Sequence, residues 1–429
     1  MKMQRSLLST SIAAAGLPVL ALLAAPAFAQ QGDADVADLE RRIGELEAIV
    51  ERVQGQAPET DFDNQYLVRE GKGIKIGGTT ITFSGFIKAD MIAGSNGDGT
   101  KNTYSVGVPR NFAGFARNDS SSWNVGLTAR ESRFAFGTST EDVAGHTLET
   151  YLEMDFNDDM ESNGNELVSN SYNPRLRQAY GSWNGWTAGQ TYTTFTDLAV
   201  LPEIMNQGKM AAFIYVTQPQ VRYTMAAPGG SLMMALENPE DGISSIDADE
   251  YDDQSLPDFV ARYNLRNSYG MYSVSGMARR LEVDDDETWA GAASIAARVP
   301  TIGRDNVRLQ YSYGALGRYM GLLTYPDVQL EDQAADEAKA FVSQGLTAAY
   351  QHFWTEAWRS NLVGSHTEAV SDGSGLGVEA STSVHASLVW SPHAKMSYGL
   401  EYAHWTFKQP VTRDKDEYQQ VMLSAKYDF

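Results

Sequence analysis

Residues 147–156 read TLETYLEMDF, with Leu148, Leu152, Met154 and Phe156 on one side and Glu149, Glu153 and Asp155 on the other. A period of two puts successive side chains on opposite faces, so this stretch predicts a β-strand with one apolar and one charged face. Outward from it the pattern repeats. In Thr79–Met91, Ile81, Phe83, Gly85, Ile87, Ala89 and Met91 oppose Thr82, Ser84, Lys88 and Asp90. In Asn306–Ser312, Val307, Leu309 and Tyr311 oppose Arg308, Gln310 and Ser312. The stretch Gln419–Phe429 alternates in the same way.

Sixteen segments of this kind are expected, near 80–92, 124–138, 146–158, 174–184, 185–194, 213–226, 230–238, 257–266, 268–281, 287–299, 305–317, 339–351, 356–370, 378–391, 394–408 and 417–429. Two resist a single register. In 124–138 the face of Val125 and Leu127 conflicts with that of Phe134 and Phe136, which calls for a bulge. In 356–370 neither face is clean. Strands of about ten residues, apolar outside and polar inside, mark a transmembrane β-barrel. Trp123, Trp183, Trp186, Trp358, Trp390, Tyr402, Trp405 and Tyr427 fall near strand ends, as interfacial girdles do. A soluble sandwich would bury its apolar face in a closed core instead. Connections alternate: Asn184-Gly185, Pro228–Gly230, Arg266-Asn267 and Ser391–His393 read as short periplasmic turns. Segments 93–123, 159–173, 195–212, 239–256 and 318–338 read as long outer loops. The fold class is therefore an all-β membrane protein, a 16-stranded antiparallel barrel over 79–429.

The N-terminal part reads differently. Lys2 and Arg5, an apolar core over Ser11–Ala25 and Ala27-Phe28-Ala29 predict a signal peptide over 1–29. Over 33–54, Val36, Ile43 and Val50 alternate with Leu39, Leu46 and Val53 at steps of 3 and 4, a coiled-coil seam. It reads as a periplasmic oligomerisation coil or as a helix docked on its own domain. Residues 55–78 read as a linker.

Composition bounds the function. The chain has 429 residues, 42% apolar, with 55 acidic and 33 basic side chains and no cysteine. The net charge of −22 argues against nucleic acid, which needs a basic footprint. Without Lys2 and Arg5 of the leader the mature net charge becomes −24. Disulfides, thiol catalysis and cysteine metal sites are excluded. No H-E-x-x-H, Walker or G-x-S-x-G motif occurs, so no enzyme, cofactor or metal is expected. The carboxylates cluster in Glu237–Asp253, Asp284–Glu287 and 327–337. As solvated loops these would bridge lipopolysaccharide through divalent ions; an oxygen-ligand calcium site is the alternative. His385 and His393 read as flanking a turn at the periplasmic rim.

The stretches SRFAFGTST (132–140), TLETYLEMDFND (147–158) and PRLRQAYGSWNGWTAGQTYTTFTD (174–197) resemble the DcaP-like trimeric outer-membrane porins of Gram-negative bacteria. Arg177, Ala179, Tyr180, Gly181, Trp183, Gly189, Gln190, Thr191, Phe195 and Asp197 carry the most specific part. The resemblance implies a homotrimer in the cell outer membrane, with the coil in the periplasm. It further implies uptake of small anionic solutes such as dicarboxylates, and a loop near 195–212 folded inward as a constriction. The charges of that loop are Asp197, Glu203 and Lys209.

A pore selects through the charges that line it. Lys88, Arg175, Arg177, Arg222, Arg262, Arg298 and Arg308 lie on polar strand faces and form the expected solute-attracting set. Arg130, Arg133, Arg279, Arg280 and Arg359 sit on strands of less certain facing. Arginine on the lipid face costs about 2–4 kcal/mol at mid-depth, which favours the lumen. The alternative use of these arginines is to pair with Glu149, Glu153 and Asp155 and hold the wall. Tyr427 and Phe429 resemble the terminal strand that barrel-assembly machinery recognises. The expected function is a diffusion channel for small hydrophilic solutes; a non-conducting structural or adhesive barrel is the alternative.

Overall fold

A computed structural model describes residues 73–95, 123–157, 169–205, 210–240, 255–283, 286–320, 325–330, 338–372, 376, 378–409 and 415–429. The expected signal peptide, coil, Lys209 and most of the acidic loop residues lie outside them. In chain order the strands are β1 (Ile74–Ile76), β2 (Thr79–Ser95), β3 (Trp123–Thr128), β4 (Arg133–Val143), β5 (His146–Asp155), β6 (Arg175–Trp183), β7 (Trp186–Tyr192), β8 (Thr217–Ala227), β9 (Gly230–Glu237) and β10 (Asp258–Asn267). There follow β11 (Gly270–Val283), β12 (Asp286–Pro300), β13 (Asn306–Gly314), β14 (Val328–Leu330), β15 (Ala338–Ala340), β16 (Ser343–Phe353), β17 (Trp358–Ala369), β18 (Ala380–His393), β19 (Met396–Lys408) and β20 (Lys415–Asp428).

Consecutive wall strands pair antiparallel. The ring closes where β2 meets β20 through Phe86↔Asp428 to Gly94↔Gln420. β3 and β4 share one position: β3 pairs with the upper part of β2 (Asp90↔Thr128) and β4 with the lower (Phe86↔Arg133). Counting that pair once, the closed sheet has sixteen strand positions, one overlapping each expected segment, and several strands, β4 and β2 furthest, run past the expected ends. Residues 129–132 are the inserted bulge, and they move the outward face from odd to even residues. That resolves the conflict between Leu127 and Phe136, both exposed. In β17, Leu362 points out while Asn361, Val363, Ser365 and Thr367 point in.

The alternation has the expected sense. Phe83, Ile87, Leu152, Ile295, Leu346 and Leu423 are exposed on the outer face, and Leu127 is 77% exposed. Glu153, Asp155, Ser294, Ser312, Ser383 and Gln420 are buried on the inner face. Lipid would cover the first set. Paired rings mark the girdle at the turn end, with Trp358 and Trp390 stacked at 5.9 Å, Trp390 and Tyr398 stacked at 5.5 Å, and Trp186 and Tyr223 tilted at 4.8 Å. Trp405 does not join them. It faces inward, 2% exposed, with His385 against its edge.

Two-residue turns gather at one end of the barrel. Asn184 and Gly185 both have positive φ, the backbone that matches the twist of a hairpin. Two expected turns are displaced, because pairing continues through Asn267↔Gly270 and His393↔Met396. The turns are Ser268-Tyr269 and Ala394-Lys395. His385 is therefore not at the rim but buried midway along β18. β1 lies within the expected linker, and Asp286 and Glu287 belong to β12 rather than to a loop.

Candidate functional site

At the opposite end, the third loop (193–216) leaves β7 and turns into the barrel. Its sequence over 193–204, TTFTDLAVLPEI, is more apolar than an exposed loop needs to be. Thr193–Val200 are buried without exception. Asp197 accepts the Ala199 N–H at 2.9 Å and so caps the 3-10 turn Leu198–Val200 instead of facing open lumen.

The loop is moored to the inner wall along its length. Arg262 on β10 donates to the Thr196 carbonyl, and Arg308 on β13 donates to the Leu201 carbonyl. Arg359 on β17 donates to Glu203 at 2.7 Å, and Gln351 on β16 adds a bond at 3.0 Å. The Met205 N–H donates to Glu401 at 2.8 Å, and its carbonyl accepts from Lys88 Nζ at 2.9 Å. The Ala211 and Ala212 N–H groups donate to Ser383 and Ser365 at 3.0 and 2.8 Å. Small hydroxyl residues on those strands leave room for the backbone to approach and supply its acceptors.

The inner wall carries several charge groups. Arg175 forks onto Asp155 at 2.9 and 2.8 Å. Arg177, at the β6 bulge, bonds Glu153 at 2.9 Å, Asp155 at 3.1 Å and the Tyr215 hydroxyl at 2.6 Å. Arg133 approaches Glu153 at 3.5 Å. Lys88 is 4% exposed and pairs with Asp90 at 3.1 Å and with Glu131.

The predicted cations thus divide. Lys88 and Arg262 (1% exposed) face inward but are covered by the third loop, and each holds its backbone. Arg175 and Arg177 face inward as ion-paired groups. Arg222 and Arg298 make no ion pair or hydrogen bond among the described residues. Arg298 stands directly across from Arg308, and Arg266 lies in the same row through Met271. Like charges opposite one another repel, so this part of the wall holds concentrated positive potential. On β8–β13 the described acidic residues Glu237, Asp258, Glu282, Asp286 and Glu287 lie toward the loop ends of their strands.

Among the described residues of the third loop, Glu203 carries its charge onto the wall at Arg359. Burial alone would raise its carboxyl pKa. Hydrogen bonds and charge from Arg359, with Asn361 and Arg308, outweigh that and hold it below the usual 4.5.

A second inward element was not legible as such. In the sixth loop (315–342), Ala315, Leu316, Tyr319 and Met320 are buried within the barrel. Leu316, Tyr319 and Met320 pack with Phe195 and Ile214 of the third loop and with Val260, Met277 and Ala292 of the wall. Arg279 and Arg318 bind Asp258 at 3.2 and 2.9 Å, and Arg279 also binds Asp327. The signal that could have found it is the apolar pair Tyr319-Met320 at the start of the expected outer loop 318–338, next to Ala315-Leu316, which the expected strand 305–317 had absorbed. Phe429 stacks outside on Phe83 at 5.5 Å and lies 6.0 Å from Phe134, while Tyr427 is exposed on the outer face. No group of three or more His, Asp or Glu suited to a metal occurs among the described residues.

A sequence profile of the porin subfamily matches residues 73–418. The outer membrane channel DcaP of Acinetobacter baumannii has a similar structure, with a TM-score of 0.71, 18% identity, and coverage of 84% of this chain and 100% of that one. The anion-selective porin from Comamonas acidovorans aligns with a TM-score of 0.53 and 10% identity over 82% of this chain and 100% of that one. Salmonella typhi OmpF, in a complex with daunomycin, aligns with a TM-score of 0.53 and 11% identity over 83% of this chain and 100% of that one. No curated protein matches the chain by sequence. At these identities the structural likeness is one of fold.

Proposed function

This chain belongs to the porin subfamily, and on that premise we propose that it is an outer-membrane diffusion channel with a preference for small anions such as dicarboxylates. The observation that carries the preference is the inward row of Arg266, Arg298 and Arg308, with Arg222 on the same stretch of wall. Guanidinium offers a planar fork that fits carboxylate, and a ring of such charges in a channel favours anions. The acidic excess of the chain lies elsewhere, much of it in the segments between strands.

The working form in this reading is a homotrimer. In its support, a concavity of about 1120 Å3 where β19, β20, β2 and β3 adjoin is lined by the outward residues Met91, Val125, Leu127 and Leu423. The same reading keeps the signal peptide, the periplasmic coil over 33–54, loop contacts with lipopolysaccharide, and recognition of Phe429 by barrel-assembly machinery. A closed structural barrel is the second reading, favoured by the apolar packing of two loops inside the lumen.

Reconstitution into planar bilayers under a salt gradient tests both. Stepwise insertions in threes with a reversal potential toward the anion side are the expected result. Cation preference would overturn the arginine reading, and electrically silent membranes would select the structural barrel.

A further inference from the structure

We propose that the constriction is a two-loop device, in which Arg318 and Tyr319 of the sixth loop position the third loop; this rests on the lumen being a conducting path. The two loops are joined first through their backbones. Ile214 and Met320 form an antiparallel bridge, and the Tyr215 N–H donates to the Tyr319 carbonyl at 2.9 Å. The return limb of the third loop is therefore paired to the sixth loop before it reaches β8.

The outgoing limb is held through side chains. Tyr319 is 0% exposed, and its hydroxyl has a single proton. That proton goes to Asp258 at 2.7 Å, the shorter of two carboxylate contacts, and Gln218 donates to the Tyr319 hydroxyl oxygen at 3.1 Å. Burial, with Glu237 and Asp258 beside it, pushes this hydroxyl well above its usual pKa, so it remains a donor. Glu237 lies 3.3 Å from the Tyr319 hydroxyl and accepts from the Thr193 hydroxyl and the Thr194 N–H, each at 2.6 Å. The Gln218 amide donates to both the Tyr319 hydroxyl and Glu237, so Tyr319 is linked through it to Thr193-Thr194, where the third loop leaves the wall, and through its own carbonyl to Tyr215, where the loop returns.

Arg318 sets the tyrosine in place. Its guanidinium lies 4.9 Å from the Tyr319 ring and donates to Asp258 at 2.9 Å, to the Asn238 carbonyl at 2.6 Å and to Gln218. Arg279 completes the arrangement 5.2 Å from the same ring. The fit is close. A Cβ at Gly345 would lie 2.8 Å from Ala212 of one loop and 3.3 Å from Met320 of the other. Carbonyl, carboxylate and apolar contacts therefore all change together if the sixth loop shifts, and the third loop must follow.

The test uses the full-length protein in planar bilayers with KCl, comparing wild type with Tyr319→Phe, Arg318→Ala and Arg318→Lys. Heat-modifiable mobility of the folded barrel is measured alongside. Tyr319→Phe keeps the ring in its apolar cluster and removes only the hydroxyl, so it keeps the test open if Arg318→Ala fails to fold. The expected result is noisier open channels with conductance raised on the order of two-fold, since a pore's width governs its conduction. Arg318→Lys restores part of the wild-type trace, and barrel mobility stays unchanged in Tyr319→Phe. A conducting wild type with variants of identical conductance and noise would overturn the positioning role alone. Variants that lose barrel stability without any change in conductance would do the same. A wild type that does not conduct removes the channel reading, and this proposal with it.

Discussion

Arg359 on β17 grips Glu203 in the third loop across 156 residues of sequence, its Nε donating to Oε2 at 2.7 Å while Nη2 meets Oε1. The pair fixes one point of a loop whose described residues include a single 3-10 turn. It is also where the loop's chemistry becomes dependent on pH.

Because the Glu203 carboxyl is held below its usual 4.5, its contribution to the folded loop is fully present above that value. It is lost as pH falls through the lowered folded value. Conductance and ion selectivity should therefore stay constant from neutral pH down through 4.5 and change only below it. Glu203→Gln should show the acid behaviour at neutral pH. Single-channel recordings across a pH series check both statements; a transition above the ordinary carboxylate range would contradict them.

Lys88 lies between Asp90 and Glu131, all three almost fully covered. Removing one partner of a buried charge group leaves the others uncompensated, at about 3–5 kcal/mol. Lys88→Met should lower the urea midpoint of the detergent-folded barrel accordingly. It should also release the Met205 carbonyl and increase channel noise. A loss below about 1 kcal/mol would place the carboxylates in contact with water.

Arg298 faces Arg308 across the β12–β13 pair. Arg298→Glu turns a like-charge pair into an opposite one, worth about 0.2–1 kcal/mol. Stability should hold or rise slightly, while the reversal potential moves toward cation preference. An unchanged reversal potential would remove this row from the permeation path.

On the outer face, Phe429 stacks on Phe83 at 5.5 Å, and its N–H donates to the Gly85 carbonyl at 3.0 Å. Phe429→Ala keeps the backbone bond and loses the ring contacts, at about 0.5–1.5 kcal/mol per pair beyond area burial. Folding into lipid vesicles should slow, and Phe429→Leu should recover part of the rate. Equal folding yields for all three would assign the ring no part in closure.

The period-two pattern of Thr147–Phe156 and its fifteen counterparts carried the architecture. Each strand of a lipid-facing barrel must present apolar groups outward and polar groups inward, and that requirement is written locally, residue by residue. Even the awkward register of 124–138 pointed to a real feature, the bulge at 129–132. The inward facing of Arg222, Arg298 and Arg308 was readable on the same grounds, since a cation in lipid is costly. Their neighbours were not readable. Whether Lys88 meets open lumen or the Met205 carbonyl depends on contacts 117 residues apart, and alternation has no information about such distances. Trp405 and His385 show the same limit: strand-end position suggested a rim, and only the register Ser383↔Trp405 placed the tryptophan inside. The sixth loop is the sharpest case. Its apolar residues have no period that distinguishes a solvated excursion from a segment folded back. Its direction follows from the small residues Ala292, Gly314 and Gly345 that make room inside the wall, and from Asp258 and Glu237, which receive Tyr319 there. Local alternation specifies a wall; long-range packing specifies what fills it.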